Sequence, residues 1–191
     1  MGSQGSLIKK ISDVIISFFA LLIFSPVLLL AVIAIKFETD GPAFFTHERT
    51  GYGGKKFKLY KLRGMVHNAL EIGPGLTEVN DPRITKVGRL LRRASIDELP
   101  NFINVLKGEM SIIGPRPEIT SITDKYNRSQ QEVFKFKPGI TGISQINGRQ
   151  LLTPDERVKM EIEYYNKETF FSDLKIIFRT LKVIVSNEGN I

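Results

Sequence analysis

Apolar positions fall in three patterns along the chain, and each predicts a different kind of element. From Val14 to Ile35 there is no charged side chain, and Val, Ile, Leu, Phe and Ala dominate. About 20 apolar residues suffice to cross a bilayer as a helix. Ser25-Pro26 lies in the middle of this run. A proline there removes a backbone donor and crowds the preceding turn, so the helix is expected to bend. Lys9 and Lys10 precede the run and Lys36 follows it, which leaves no inside–outside charge asymmetry. Two geometries satisfy these facts: a kinked span, or a helix that enters, breaks at Ser25-Pro26 and returns to the same face. A cleaved signal peptide fits poorly, because the run is too long and no small-residue cleavage site follows.

The second pattern is alternation. Phe44 to Arg49 and Phe57 to Arg63 flank Gly51-Tyr52-Gly53-Gly54, which predicts a β-hairpin. Its second arm alternates apolar and basic residues, giving either a solvated strand face or a positive face for an anion. The third pattern has a helical period. Ile84–Arg93, Leu99–Leu106, Pro154–Tyr165 and Ser172–Val185 are expected helices, the last with Ser172 as N-cap. Its stripe of Leu174, Ile177, Phe178 and Leu181 would pack on a core or lie on a membrane. Residues 66–82 read as a loop. The organisation is a leader at 1–6 that reads as a cloning scar, a membrane helix at 7–39, and one mixed α/β, helix-rich domain at 40–191.

Charge narrows the partners. The 191 residues carry 27 Lys and Arg against 20 Asp and Glu, a net +7, so an anionic surface or substrate is expected. Cysteine is absent, which removes disulfides and thiolate metal sites. His47 and His67 are far apart and belong to no zinc-type pattern.

The candidate chemistry centres on Ser95-Ile96-Asp97-Glu98-Leu99-Pro100, with Arg89, Arg92 and Arg93 before it and Lys107 and Gly114-Pro115-Arg116-Pro117 after it. Ser-x-x-Glu is a capping box, so a wholly structural reading exists: Ser95 caps a helix and Glu98 reaches back to it. The functional reading uses the same geometry. An aspartate held ionised at a helix start among arginines is a competent nucleophile toward phosphorus. A divalent cation with oxygen ligands, Mg²⁺, would screen it from an anionic substrate. The prolines around Arg116 restrict its backbone, which suits bidentate phosphate recognition.

Asp40-Gly41-Pro42, Arg49-Thr50-Gly51, Asp81-Pro82-Arg83, Asp97-Glu98-Leu99-Pro100, Asn104 to Ser111, Gly114-Pro115-Arg116-Pro117-Glu118 and Pro138-Gly139-Ile140-Thr141-Gly142 follow in this order. The series resembles the bacterial sugar transferase family, the monotopic phosphoglycosyl transferases, in their minimal catalytic form. The resemblance implies transfer of a sugar-1-phosphate from a UDP-sugar to undecaprenyl phosphate, with UMP released, in two steps through a covalent aspartyl intermediate. Asp97 matches the nucleophile and Glu98 its partner, both as Mg²⁺ ligands. Arg92, Arg116, Arg149, Lys61 and Arg63 match basic positions for substrate and phosphate. Ser25 and Pro26 match the break of a re-entrant membrane helix, with amphipathic interfacial helices around a small cytosolic domain. The expected setting is the cytoplasmic face of the bacterial inner membrane. The partners are the bilayer and the two substrates, not nucleic acid, and a homodimer is compatible. Ile143 and Gly64 depart from common family residues and leave the sugar open. The rival expectation is a membrane-tethered basic module that binds nucleic acid or anionic lipid without catalysis.

Overall fold

A computed structural model describes residues 6–69, 71–73, 81–148 and 152–186. Its first element is a single helix, α1, Leu7–Glu38, with Pro26 inside. The missing proline donor would orphan the carbonyl of Leu22, one turn earlier. The Ser25 hydroxyl donates to that carbonyl at 2.8 Å, so the Ser-Pro pair repairs its own hydrogen-bond gap. Helical hydrogen bonding therefore continues through Ser25-Pro26. Most of α1 is exposed apolar surface; only Ser17, Ala31 and Ile35 are buried.

Both ends of α1 are tied to the globular domain. Near its start, Lys9 pairs with Asp173 at 2.6 Å, and the Asp13 carboxylate accepts from the Ser111 hydroxyl at 2.6 Å. At its end, the Glu38 carboxylate accepts from the backbone amides of Lys86 and Val87 at 2.7 and 2.9 Å. Those amides open helix α2, Lys86–Arg93, whose N-cap Thr85 accepts from Gly88. Two extra carboxylate bonds to orphan amides and the helix dipole reinforce that cap.

The hairpin forms as its alternation predicts. Strand β1, Phe44–Thr50, pairs antiparallel with β2, Lys56–Leu62, and a 3₁₀ turn at Tyr52–Gly54 joins them. Lys56 and Lys58 face solvent, while Leu59 and Leu62 enter the core. Helix α3, Asn101–Leu106, is fastened to β2 by buried Asn104. Its side chain accepts from Tyr60 N–H and donates to the Lys58 carbonyl and to Glu109.

A second sheet was not legible in the sequence. The segment 138–142 reads as turn-rich, yet β4, Gly139–Thr141, runs parallel to β3, Ser111–Ile113. The backbones approach so closely that a Cβ on Gly114 would lie 2.1 Å from the Lys137 carbonyl, and one on Gly139 would lie 2.0 Å from Gly114 N. Glycine is required by this contact, not by its torsion angles.

The remaining helices are α4, Thr120–Thr123, α5, Ile143–Ile146, α6, Pro154–Tyr165, and α7, Phe170–Ser186. Helix α6 starts at the expected proline, behind a complete Thr153/Glu156 capping box. One expectation for α7 is corrected: Ser172 lies inside the helix and exchanges hydrogen bonds with Thr169 before it. The stripe divides between its two alternatives: Leu174, Phe178 and Leu181 are exposed, together with Phe170 and Phe171, while Ile177 packs on the core. Ile176 and Val183 also face the core, and Asp173 is buried in its ion pair with Lys9. The fold is thus helix-rich mixed α/β, with a long apolar helix and a small antiparallel hairpin.

Candidate active site

Ser95 sits at φ 55°, ψ 21°, left-handed, where a residue with a side chain is strained by roughly 1–2 kcal/mol. The capping box does not form: Ser95 makes no cap bond, Ile96–Glu98 is one 3₁₀ turn, and α3 begins only at Asn101. The physical reason is that the left-handed Ser95 breaks the chain between α2 and α3. The turn that follows carries two consecutive carboxylates, Asp97 and Glu98.

Asp97 is buried, and Glu98 reaches Lys61 Nζ at 2.7 Å and Arg116 Nη1 at 3.8 Å. Burial pushes the Asp97 carboxyl above its ordinary range, and the Glu98 charge adds to the rise. Lys61, Arg92 and Arg116 act against it. Desolvation therefore prevails over the arginines that the sequence suggested would hold Asp97 ionised. A buried carboxylate of this kind needs added positive charge to act as an anion.

Four of the five basic residues singled out from the sequence have a definite place. Lys61, at the inner end of β2, contacts Glu98 directly. Arg92 acts on Asp97 through its charge from the last turn of α2. Arg116 stands on the loop after β3 beside Glu98. Arg63 differs from its expected phosphate role. It is buried and donates to the carbonyls of Asp40 and Thr39 and to the Thr39 hydroxyl, which clamps the corner between α1 and β1. Arg149 lies outside the described residues.

The loop carrying Arg116 is braced from behind by groups that the sequence did not flag. Glu161 on α6, 1% exposed, accepts from the Arg116 backbone amide at 2.9 Å and from the Ser144 hydroxyl at 2.6 Å. Burial pushes its carboxyl up to about 7, against the pull of these bonds and of Arg157 and Arg116. Glu118 is held by a close ion pair with Arg157. Arg49, near the end of β1, contributes another buried cation; burial and the Arg116 charge push its guanidinium down to about 10. Both omissions had a sequence signal. Arg49 shares the inward register of Phe45 and His47, and Glu161 shares the buried spacing of Val158 and Tyr165. A charge on an inward position is the mark of a used charge.

Among the described residues no group of three or more His, Asp or Glu side chains is placed to hold a metal. Two adjacent carboxylates nevertheless suit Mg²⁺, which commonly takes one or two protein carboxylates and completes its shell with water and substrate phosphate.

The bacterial sugar transferase family model matches residues 4–187. Over 193 residues the chain is 42% identical to the galactosyl transferase CpsE of Streptococcus agalactiae, covering 95% of this chain and 43% of that protein. It is 35% identical over 201 residues to the exopolysaccharide production protein ExoY of Rhizobium meliloti, covering 97% and 89%. It is 39% identical over 191 residues to the UDP-glucose:undecaprenyl-phosphate glucose-1-phosphate transferase of Caulobacter vibrioides, covering 95% and 71%. The chain therefore spans less than half of CpsE and most of ExoY. It belongs to the bacterial sugar transferase family. As a sugar transferase it is an enzyme, which displaces the reading as a non-catalytic basic module.

Proposed function

We propose that the protein is a phosphoglycosyl transferase. It moves a sugar-1-phosphate from a UDP-sugar to undecaprenyl phosphate and releases UMP, as the first membrane step of an exopolysaccharide or capsule pathway. The observation that carries this is the buried Asp97 beside Glu98, Lys61, Arg92 and Arg116, in a chain matched along nearly its whole length by the sugar transferase family. Names of relatives supply the substrate class: one acts on UDP-glucose and undecaprenyl phosphate, another on UDP-N-acetylgalactosamine.

In the proposed first step an Asp97 oxygen attacks the β-phosphorus of the UDP-sugar. The bond from that phosphorus to the bridging oxygen breaks, and UMP leaves with the electron pair. In the second step a phosphate oxygen of the lipid attacks the same phosphorus and frees Asp97. Mg²⁺ held by Asp97 and Glu98 would neutralise charge between the carboxylates and the pyrophosphate. Lys61 keeps Glu98 oriented, and Arg116 and Arg92 offset the negative charge that gathers around Asp97.

The proposed setting is the cytoplasmic face of the bacterial inner membrane, with α1 re-entrant. A straight helix of 32 residues is about 48 Å long, against a hydrocarbon core of about 30 Å. Were it to cross, its ends would face opposite compartments. Contacts from Lys9, Asp13 and Glu38 to one domain support both ends lying on the same side. The exposed Phe170, Phe171, Phe178 and Leu181 of α7 support an interfacial position for that helix.

The test is intact-mass analysis after mixing protein with UDP-sugar and Mg²⁺ without lipid acceptor. A phosphosugar adduct on the wild type, absent in Asp97→Asn with fold retained, is expected. UMP release by Asp97→Asn near the wild-type rate refutes the nucleophile assignment.

A further inference from the structure

Beside Glu98 a shallow open cleft lies between β2, α3 and the Arg116 loop. Two of the residues that line it carry a buried polar atom without a partner. Arg49 Nε is buried without an acceptor, and Asn101 Oδ1, on a residue 3% exposed, is buried without a donor. An unmet buried polar group is costly in a folded protein. Orphans of this kind in a native fold call for an explanation, and two of them lining one cleft next to the reacting carboxylates point to an absent ligand.

Their chemistry restricts what that ligand offers. A phosphate oxygen accepts hydrogen bonds only, so it would satisfy Arg49 and leave Asn101 unmet. Lys61 and Arg116 already provide cations for phosphate in the same wall. A hydroxyl both accepts and donates, and vicinal hydroxyls present the two functions side by side. Leu59, Met110 and Ile140 give the cleft an apolar side, suited to the C–H face of a pyranose ring.

Because Asp97 is taken as the site of phosphosugar transfer, as proposed above, we infer that Arg49 and Asn101 hold the donor's sugar through its hydroxyls and so select which UDP-sugar is used. Sugar selectivity is thereby placed on the hairpin end and the first residue of α3, away from the nucleotide. A site built to hydrogen-bond a hydroxyl rejects analogues that lack or misplace it far more strongly than an apolar pocket rejects an extra group.

The experiment measures UMP release by the full-length wild type across UDP-glucose, UDP-galactose and UDP-N-acetylgalactosamine. It then measures UMP release with all three sugars, and affinity for the best of these and for UDP alone, in wild type, Asn101→Ala, Asn101→Ser and Arg49→Lys. Far-UV circular dichroism checks the fold of each variant. The expected result is at least a 10-fold loss of affinity for the UDP-sugar with UDP binding within 2-fold of wild type, and a changed ranking among the three sugars. Equal loss for UDP and UDP-sugar would place the pair on the nucleotide or pyrophosphate and overturn the inference. No loss for either would overturn it as well. Failure of the wild type to release UMP with any of the three sugars overturns instead the transferase reading, so the two failures are distinct.

Discussion

Replacing Glu161 by glutamine isolates the energetic consequence of burying a carboxylate behind the active-site loop. In the fold its pKa is raised from 4.5 to about 7, mainly by burial. The folded protein therefore binds this proton more tightly than the unfolded chain does. Stability is unaffected by Glu161 below about pH 4.5, falls as pH rises toward 7, and remains lowered above that. At about 1.4 kcal/mol per pH unit, the ionised carboxylate costs on the order of 3 kcal/mol at pH 8. Glutamine keeps an oxygen that accepts from Arg116 N–H and Ser144 Oγ, and it removes the charge. Its amide nitrogen enters a region where the buried Tyr126 hydroxyl lacks a partner and where the Tyr126 and Tyr165 phenols both feel the Glu161 charge. Glu161→Gln should therefore unfold about 6–12 °C higher than wild type at pH 8, taking about 2–4 °C per kcal/mol for a chain of this size. The gap should close by pH 5. Thermal unfolding followed by far-UV circular dichroism in detergent, from pH 5 to 8, checks it. A variant less stable than wild type at pH 8 would mean that attraction to Arg157 and Arg116 outweighs desolvation, and the reasoning fails.

Three further outcomes follow from the geometry. Lys61→Met removes the cation in contact with Glu98 and the largest one acting on Asp97; kcat/KM for UMP release should fall by about 10²–10³ with the melting curve little changed, and a loss under 5-fold would dismiss Lys61 from the site. Ser95→Ile places a β-branched side chain at φ 55° and should cost about 1–2 kcal/mol, whereas Ser95→Gly should stay within about 0.5 kcal/mol of wild type; equal stability of the two by thermal unfolding would show that the left-handed turn is not fixed. Gly114→Ala puts a methyl 2.1 Å from the Lys137 carbonyl and should separate β3 from β4, lowering stability by about 3 kcal/mol and abolishing UMP release; retained turnover would refute the close contact.

Elements with a long or regular pattern were legible in the sequence. The hairpin follows from alternation on either side of its glycines, and α6 starts at Pro154 behind a working capping box. What escaped was set by contacts between distant segments. Strands β3 and β4 have three residues each, too few for a period to register, and they pair only because glycines let two backbones meet. The acidic pair is legible as two carboxylates among basic residues, but a Ser-x-x-Glu pattern does not reveal that Ser95 is left-handed. Arg63 and Arg116 look alike as sequence. One is consumed by the carbonyls of Thr39 and Asp40, and the other faces Glu98. Only the fold distinguishes a structural arginine from one that meets the site.

The bracing of Arg116 explains why a carboxylate as costly as Glu161 would be kept. The Arg116 loop is fixed by prolines on both sides, by the glycine contact between β3 and β4, by the Glu118–Arg157 pair, and by the hydrogen bond that the Arg116 backbone N–H donates to Glu161. A guanidinium so held loses little freedom when it meets a phosphate, and its position relative to Asp97 is set before substrate arrives. A neutral acceptor at 161 would hold the amide but would leave the Arg116 and Arg157 charges less compensated from behind. The same substitution that raises stability at pH 8 is then expected to weaken the preorganised field at Asp97, so Glu161→Gln should melt higher and turn over more slowly. A variant that melts higher with unchanged kcat/KM would mean that the charge of Glu161 serves neither stability nor the reaction, and that only its oxygen matters.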